Sequence, residues 1–208
     1  MKIVLLANEE QKDELTAQQE TVSGLLWPVA IESLASLGTA EACIDLQFDN
    51  SQERIDQLGK LDTTLQIVNS VMRLPEGPAR NFVRINGWKT FLNRPIVEAT
   101  GPDSLRSKAE DLFMLFNKKL HWVENITGFI SLRVISAIIN EAYFALEEKV
   151  SSKADIDIAM KLGTNYPFGP FEWSKMIGIN NVYQLLNDLS ASEERYTPSS
   201  LLKIEAGG

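Results

Sequence analysis

The chain has 208 residues, 44% of them hydrophobic and 23% charged, and a net charge of −8. That is ordinary globular composition, long enough for one large or two small domains, and it excludes a disordered tail protein. No basic stripe is offered to nucleic acid, one cysteine excludes disulfide frameworks and multi-cysteine metal sites, and one histidine, His121, argues against zinc.

The opening apolar run, residues 3–7, is too short for a secretory segment, and Glu9 and Glu10 follow at once. No stretch approaches the ~20 apolar residues that span a bilayer. A reducing, cytoplasmic compartment without membrane contact is expected.

Residues 2–6 read as a strand, and the polar stretch 9–20 as a helix. Residues 24–38 hold one proline and an apolar run, 31–37, with no clear assignment. A second strand is expected at 42–48, closed by Asp49, Asn50 and Ser51. Ile55, Leu58 and Leu61 give 52–61 helical spacing, and 64–68 is a third strand. Pro75, Gly77 and Pro78 demand a loop. Strands are expected again at 82–85 and 95–99. Gly101-Pro102-Asp103 then opens an amphipathic helix, whose buried face carries Leu105, Ala109, Leu112, Phe113 and Phe116. A last strand, 120–123, holds His121.

From Gly128 the pattern is helical throughout. Residues 128–148 form one long helix with apolar residues on more than one side, so other protein must surround it. Ser152 caps a helix over 153–162 with Gly163 just past its end. Pro170 starts another helix that Gly178 stops, 180–189 carries Val182, Leu185, Leu186 and Leu189, and a short one follows Pro198. The four tryptophans, Trp27, Trp88, Trp122 and Trp173, and Cys43 read as core or interface residues. The expected architecture is α/β followed by all-α: a shortened, Rossmann-like, mostly parallel sheet domain at 1–125, and a helical domain at 126–208. The helices are too few to wrap the long one, so a subunit interface is expected there.

The stretches GFISLRVISAIINEA, DIDIAMKLGTNYPFGPFEWSKMIG and RYTPSSLL resemble the C-terminal domain of the 3-hydroxyacyl-CoA dehydrogenases. Order, spacing and residue types match over about 80 residues. In the N-terminal half, EACIDLQFD, LQIVNSV and FVRINGWKTFLNRPIVEATG are similar to strands of that family's nucleotide-binding domain. The resemblance implies a helical bundle that forms a homodimer, acyl-CoA substrates of fatty acid metabolism, and NAD as hydride acceptor. It also implies a histidine that takes the hydroxyl proton and a glutamate twelve residues later that orients it.

Carried onto this sequence, the glutamate of that catalytic dyad falls on Glu98 and the histidine on Asn86, whose amide has no titratable lone pair near neutral pH. The substrate serine falls on Val71, or on Ser70 if the register shifts by one. The asparagine that opens the long helix falls on Leu132, beside a retained Arg133, which is a substrate-binding candidate or a structural anchor. Where the family has G-x-G-x-x-G after the first strand, this chain runs Ala7, Asn8, Glu9, Glu10, Gln11, Lys12. No cofactor is therefore expected, and no metal.

The implied function is a family member that has lost NAD binding and catalysis, a pseudoenzyme, persisting as a dimeric binding or structural protein with an acyl-CoA or a protein as partner. The alternatives are an active oxidoreductase of 3-hydroxyacyl-CoA with a non-standard site, and a scaffold or regulatory subunit.

Overall fold

The computed structural model describes residues 2–19, 21–72 and 81–207. The loop expected around Pro75, Gly77 and Pro78 lies outside these. The chain divides into two compact units, 1–126 and 127–208.

The first unit is built on a sheet of seven strands among the described residues: β1 (Ile3–Leu6), β2 (Leu25–Leu26), β3 (Ala42–Asp45), β4 (Gln66–Asn69), β5 (Phe82–Ile85), β6 (Ile96–Thr100) and β7 (Lys119–Trp122). Their order is β2-β1-β3-β4-β5-β6-β7. Every pairing is parallel except β5 with β6. From β1 the chain runs to one side for β2 and to the other for β3. The crevice at the carboxyl ends of β1 and β3 is thus the topological switch point, where open α/β sheets bind ligands.

Alternation along the strands makes two cores. Ile3, Leu5, Ile44, Ile67, Val83, Ile85, Val97 and Ala99 face α1 (Glu9–Thr16) and α3 (Asp103–Met114) through Leu15, Ala109, Leu112, Phe113 and Phe116. Val4, Leu6, Cys43 and Val68 face the other way, onto α2 (Gln52–Leu58) through Ile55 and Leu58 and onto a 3₁₀ turn, Ile31–Ser36, through Leu34. Strands buried on both faces read as apolar runs, unbroken at residues 3–6 and interrupted only by Arg84 at 82–85, which is why both were legible. Burial pushes the Cys43 thiol up to about 12, so it is an inert core residue.

The structure corrects some boundaries. The first helix stops at Thr16, four residues early, with Ala17 as its C-cap and only polar Gln18 and Gln19 beyond it. The unassigned stretch 24–38 supplies the two-residue edge strand β2 and the 3₁₀ turn.

The second unit contains α4 (Ser131–Glu147), α5 (Lys153–Thr164), α6 (Pro170–Ile177), α7 (Ile179–Ser190) and α8 (Ser200–Glu205). Ser152 caps α5 by accepting from Asp155 N. Gly163, expected beyond its end, lies inside the helix, and the left-handed terminal residue is Asn165 at φ 57°. The long helix starts at Ser131, three residues later than expected, because Gly128 and Phe129 have positive φ (86° and 51°). Gly169 is required by close approach. A Cβ there would collide with the Asp157 side chain, whose Oδ1 accepts Phe171 N at 2.8 Å.

Buried Asn140 fastens the C-terminal segment, donating to Thr197 O and accepting from Ser199 N, both at 2.8 Å. Among the described residues, no helix is long and apolar enough to cross a membrane.

Candidate functional site

Strand register decides what stands beside what. In the antiparallel pair, Arg84 faces Thr100 and Ile85 faces Ala99. One step further along, Asn86 meets Glu98, with Asn86 N donating to Glu98 O at 3.0 Å. A spacing of twelve in sequence thus becomes a direct cross-strand pair. The side chains meet as well: Asn86 Nδ2 donates to Glu98 Oε2 at 3.2 Å.

Val83, Ile85, Val97 and Ala99 belong to the core on one face of the sheet. Alternation therefore puts Arg84, Asn86 and Glu98 together on the other face. Beyond Glu98, in parallel register on β7, stands His121. The register makes it Glu98's neighbour, on an exposed edge strand.

Ser70 is buried at the end of β4, its hydroxyl within reach of Asn50 Oδ1 at 2.8 Å and Met72 O at 2.9 Å. Those contacts shape its own turn. Val71, the other register, is equally buried. Arg133 lies in the second unit, paired with Glu193 at 2.5 Å, donating to the Tyr196 hydroxyl at 3.2 Å and stacked on that ring. Those contacts are those of an anchor for the segment before α8.

Residues the sequence reading passed over hold this region together. Arg84 is only 2% exposed. Its guanidinium donates to Ser70 O and Val71 O, each at 3.0 Å, to Asn125 Oδ1 at 2.5 Å and to Ile126 O at 3.4 Å. It thereby joins the turn after β4 to the chain leaving β7. An arginine inside the apolar run Phe-Val-Arg-Ile was the signal that could have found it. Asp45, fully buried at the end of β3, takes a two-pronged grip from Arg54 at 2.7 and 2.8 Å. Burial raises the Asp45 carboxyl, and the Arg54 bonds oppose that rise.

The crevice beside β1 has its own chemistry. Asn8 Oδ1 accepts Gln11 N at 2.8 Å, and Gln11 Oε1 accepts Asn8 N at 3.1 Å, a reciprocal capping box. Glu9 and Glu10 are exposed in the first turn, where their charges suit the helix N-terminus, and Asn8 with Gln11 does the capping. The residues at the start of α1 therefore do not reproduce a glycine-lined diphosphate cradle. Among the described residues, no group of three or more acidic, histidine or cysteine side chains could hold a metal ion.

A switched, mostly parallel sheet followed by a helical unit makes this a two-domain protein of the α/β-then-all-α class. Residues 128–205 match the family model of the 3-hydroxyacyl-CoA dehydrogenase C-terminal domain. The chain is 40% identical over 110 residues to the 3-hydroxyadipyl-CoA dehydrogenase of Escherichia coli, covering 52% of this chain and 23% of that protein. It is 31% identical over 159 residues to a 3-hydroxybutyryl-CoA dehydrogenase of Clostridioides difficile, covering 71% and 57%. It thus spans between about a quarter and a little over half of these two relatives. A solved (S)-3-hydroxybutyryl-CoA dehydrogenase from Ralstonia eutropha shares the fold, with TM-score 0.77 over 99% of this chain and 94% of that one at 17% identity. The chain belongs to the 3-hydroxyacyl-CoA dehydrogenase family through its C-terminal domain.

One expectation is overturned by these matches. The missing glycines at 7–12 led to the expectation of no cofactor. The relatives are dehydrogenases, whose chemistry needs a hydride acceptor, and the fold they share is the dinucleotide-binding type. The glycine pattern alone does not remove this chain from that chemistry.

Proposed function

We propose that this chain is a 3-hydroxyacyl-CoA dehydrogenase relative whose proton-transfer step has been lost, and that it serves as a cytoplasmic, homodimeric binding or structural protein for an acyl-CoA or a protein partner. The observation that carries this reading is the Asn86–Glu98 pair. The carboxylate stands where it would orient a base, and the group it holds is a carboxamide. An amide nitrogen cannot accept the hydroxyl proton, and general-base catalysis is worth ~10²–10⁴-fold. Dimerisation through the helical unit is supported by exposed apolar residues on α4 and α5, Val134, Ile158 and Leu162. Ser70 and Arg133 remain substrate-binding candidates in this reading, although each already has partners within its own unit. The test is acetoacetyl-CoA-dependent NADH oxidation by the purified chain. Turnover at least ~10²-fold below the 1–10³ s⁻¹ typical of enzymes supports the reading, and turnover inside that range overturns it.

A second reading, an active oxidoreductase, is favoured by one feature: His121 stands in register beside Glu98. It requires that His121→Gln abolish whatever turnover the chain shows.

A further inference from the structure

The segment after Asn86 is held in place by α1. Four residues on, Thr90 has φ 77°, a left-handed conformation that a β-branched residue rarely adopts. Thr90 is 7% exposed, and its hydroxyl has no hydrogen-bond partner among the described residues. Such a residue stays in place only when its surroundings over-determine it.

The surroundings are identifiable. Thr90 N donates to both carboxylate oxygens of Glu14, at 2.9 and 3.1 Å. One turn earlier on α1, Glu10 pairs with Lys89 at 2.5 Å. Just past the helix, Gln18 Nε2 donates to Asn93 O at 3.1 Å. From the opposite side, buried Lys118 donates to Leu92 O and, at 3.1 Å, to Arg94 O.

A second path leads from α1 to the same segment. Gln11 Nε2 donates to Leu46 O at 2.7 Å, and Asn69 Nδ2 donates to the same carbonyl at 3.2 Å. Asn69 Oδ1 then accepts Gly87 N at 2.9 Å. Residue 87 must be glycine for this, since a Cβ would lie 2.7 Å from Asn69 Cγ. The contacts close into a ring: Gln11, Leu46, Asn69, Gly87, Thr90, Glu14 and back along α1. Asn86 is the residue at the edge of that ring.

We infer that Glu14 is a positioning residue for residue 86, acting through the strained Thr90 peptide and the Gly87–Asn69 contact. The ring fixes where the chain leaves β5, and hence the angle at which the side chain of residue 86 meets Glu98. This holds whether or not residue 86 takes part in proton transfer, so its test needs no activity.

The experiment is NMR on the whole chain, following the Thr90 backbone amide and the Asn86 side-chain NH₂ signals. In Glu14→Ala, exchange of the Thr90 amide accelerates at least about tenfold, the loss of a charge-assisted bond, and the Asn86 NH₂ signals move toward those of a solvated amide. Amides in β3 keep wild-type exchange. Glu14→Gln preserves the volume but offers one neutral acceptor in place of two charged ones, so both changes recur at smaller size. That variant carries the test if Glu14→Ala fails to fold. Thr90 exchange that is unchanged in Glu14→Gln overturns the inference. So does faster exchange with Asn86 signals that stay put, which would make the contact a purely structural one.

Discussion

The helical unit and the sheet unit kept their ancestry to different degrees, and the physical reason lies in how each uses its polar side chains. The family model matches 128–205, inside the helical unit. There, fixed side chains complete the backbone's hydrogen bonds: Asp157 holds Phe171 N, Asn140 holds Thr197 O and Ser199 N, and Ser152 and Ser199 cap helices. Each depends on one residue type at one place. In the sheet unit the strands pair backbone to backbone, and residues such as Ile3, Val83 and Val97 need only be apolar and of suitable size. Fixed side chains such as Arg84, Asn69 and Glu14 complete backbone hydrogen bonds there only at the strand ends and loops. A sheet of that kind keeps its fold while its sequence drifts.

That contrast yields consequences of graded size. The largest lies at an exception, a sheet position that does depend on residue type. Asp45→Ala strands the Arg54 guanidinium against the sheet and should cost about 3–5 kcal/mol, measured by urea denaturation. A cost under about 1 kcal/mol would show that the sheet tolerates even this loss. In the helical unit, Asn140→Ala removes two bonds to the segment before α8 and should cost about 2 kcal/mol, with faster amide exchange in α8. Thr90→Gly relieves a positive φ and a buried unpaired hydroxyl, and should stabilise the chain by about 1 kcal/mol in the same assay.

A further effect concerns pH. Burial lowers the Lys118 amine to about 8, below the ordinary lysine value of 10.5. Between those two values the unfolded chain binds more protons than the folded one, so stability attributable to Lys118 rises with pH across that window. The stability difference between wild type and Lys118→Met, measured at pH 7.5 and pH 10, should shift in favour of wild type at the higher pH.

Much of this was legible in the sequence, for identifiable reasons. A strand buried on both faces, such as β1, announces itself as an apolar run, and β5 does so but for Arg84. The bounds of α6 were given by Pro170 and Gly178. The Asn86–Glu98 pair was reachable because the resemblance carries a dyad spacing of twelve onto these two positions, and the β5–β6 register turns that spacing into a cross-strand pair. Other features leave no local trace. A two-residue strand such as β2 is too short to show a period. Gly163 is a reasonable helix stop, yet the helix ran on to Asn165, which takes the left-handed conformation almost as readily. The Gln11–Leu46–Asn69 bridge meets at a backbone carbonyl, so no pairing of residue types betrays it. The cofactor expectation went wrong because it rested on one missing motif, while the sheet order that defines the crevice is a property of connection, invisible in any short stretch.

On the proposed reading, the side chain of residue 86 is what proton transfer lacks, while Glu98 stands across the strand pair where it would orient a base. Asn86→His tests it most directly, because Glu98 already lies across the strand pair at hydrogen-bond distance. Acetoacetyl-CoA reduction by this variant, compared with wild type under saturating NADH, should rise by ~10²-fold or more. A variant no faster than a correctly folded wild type would contradict the claim.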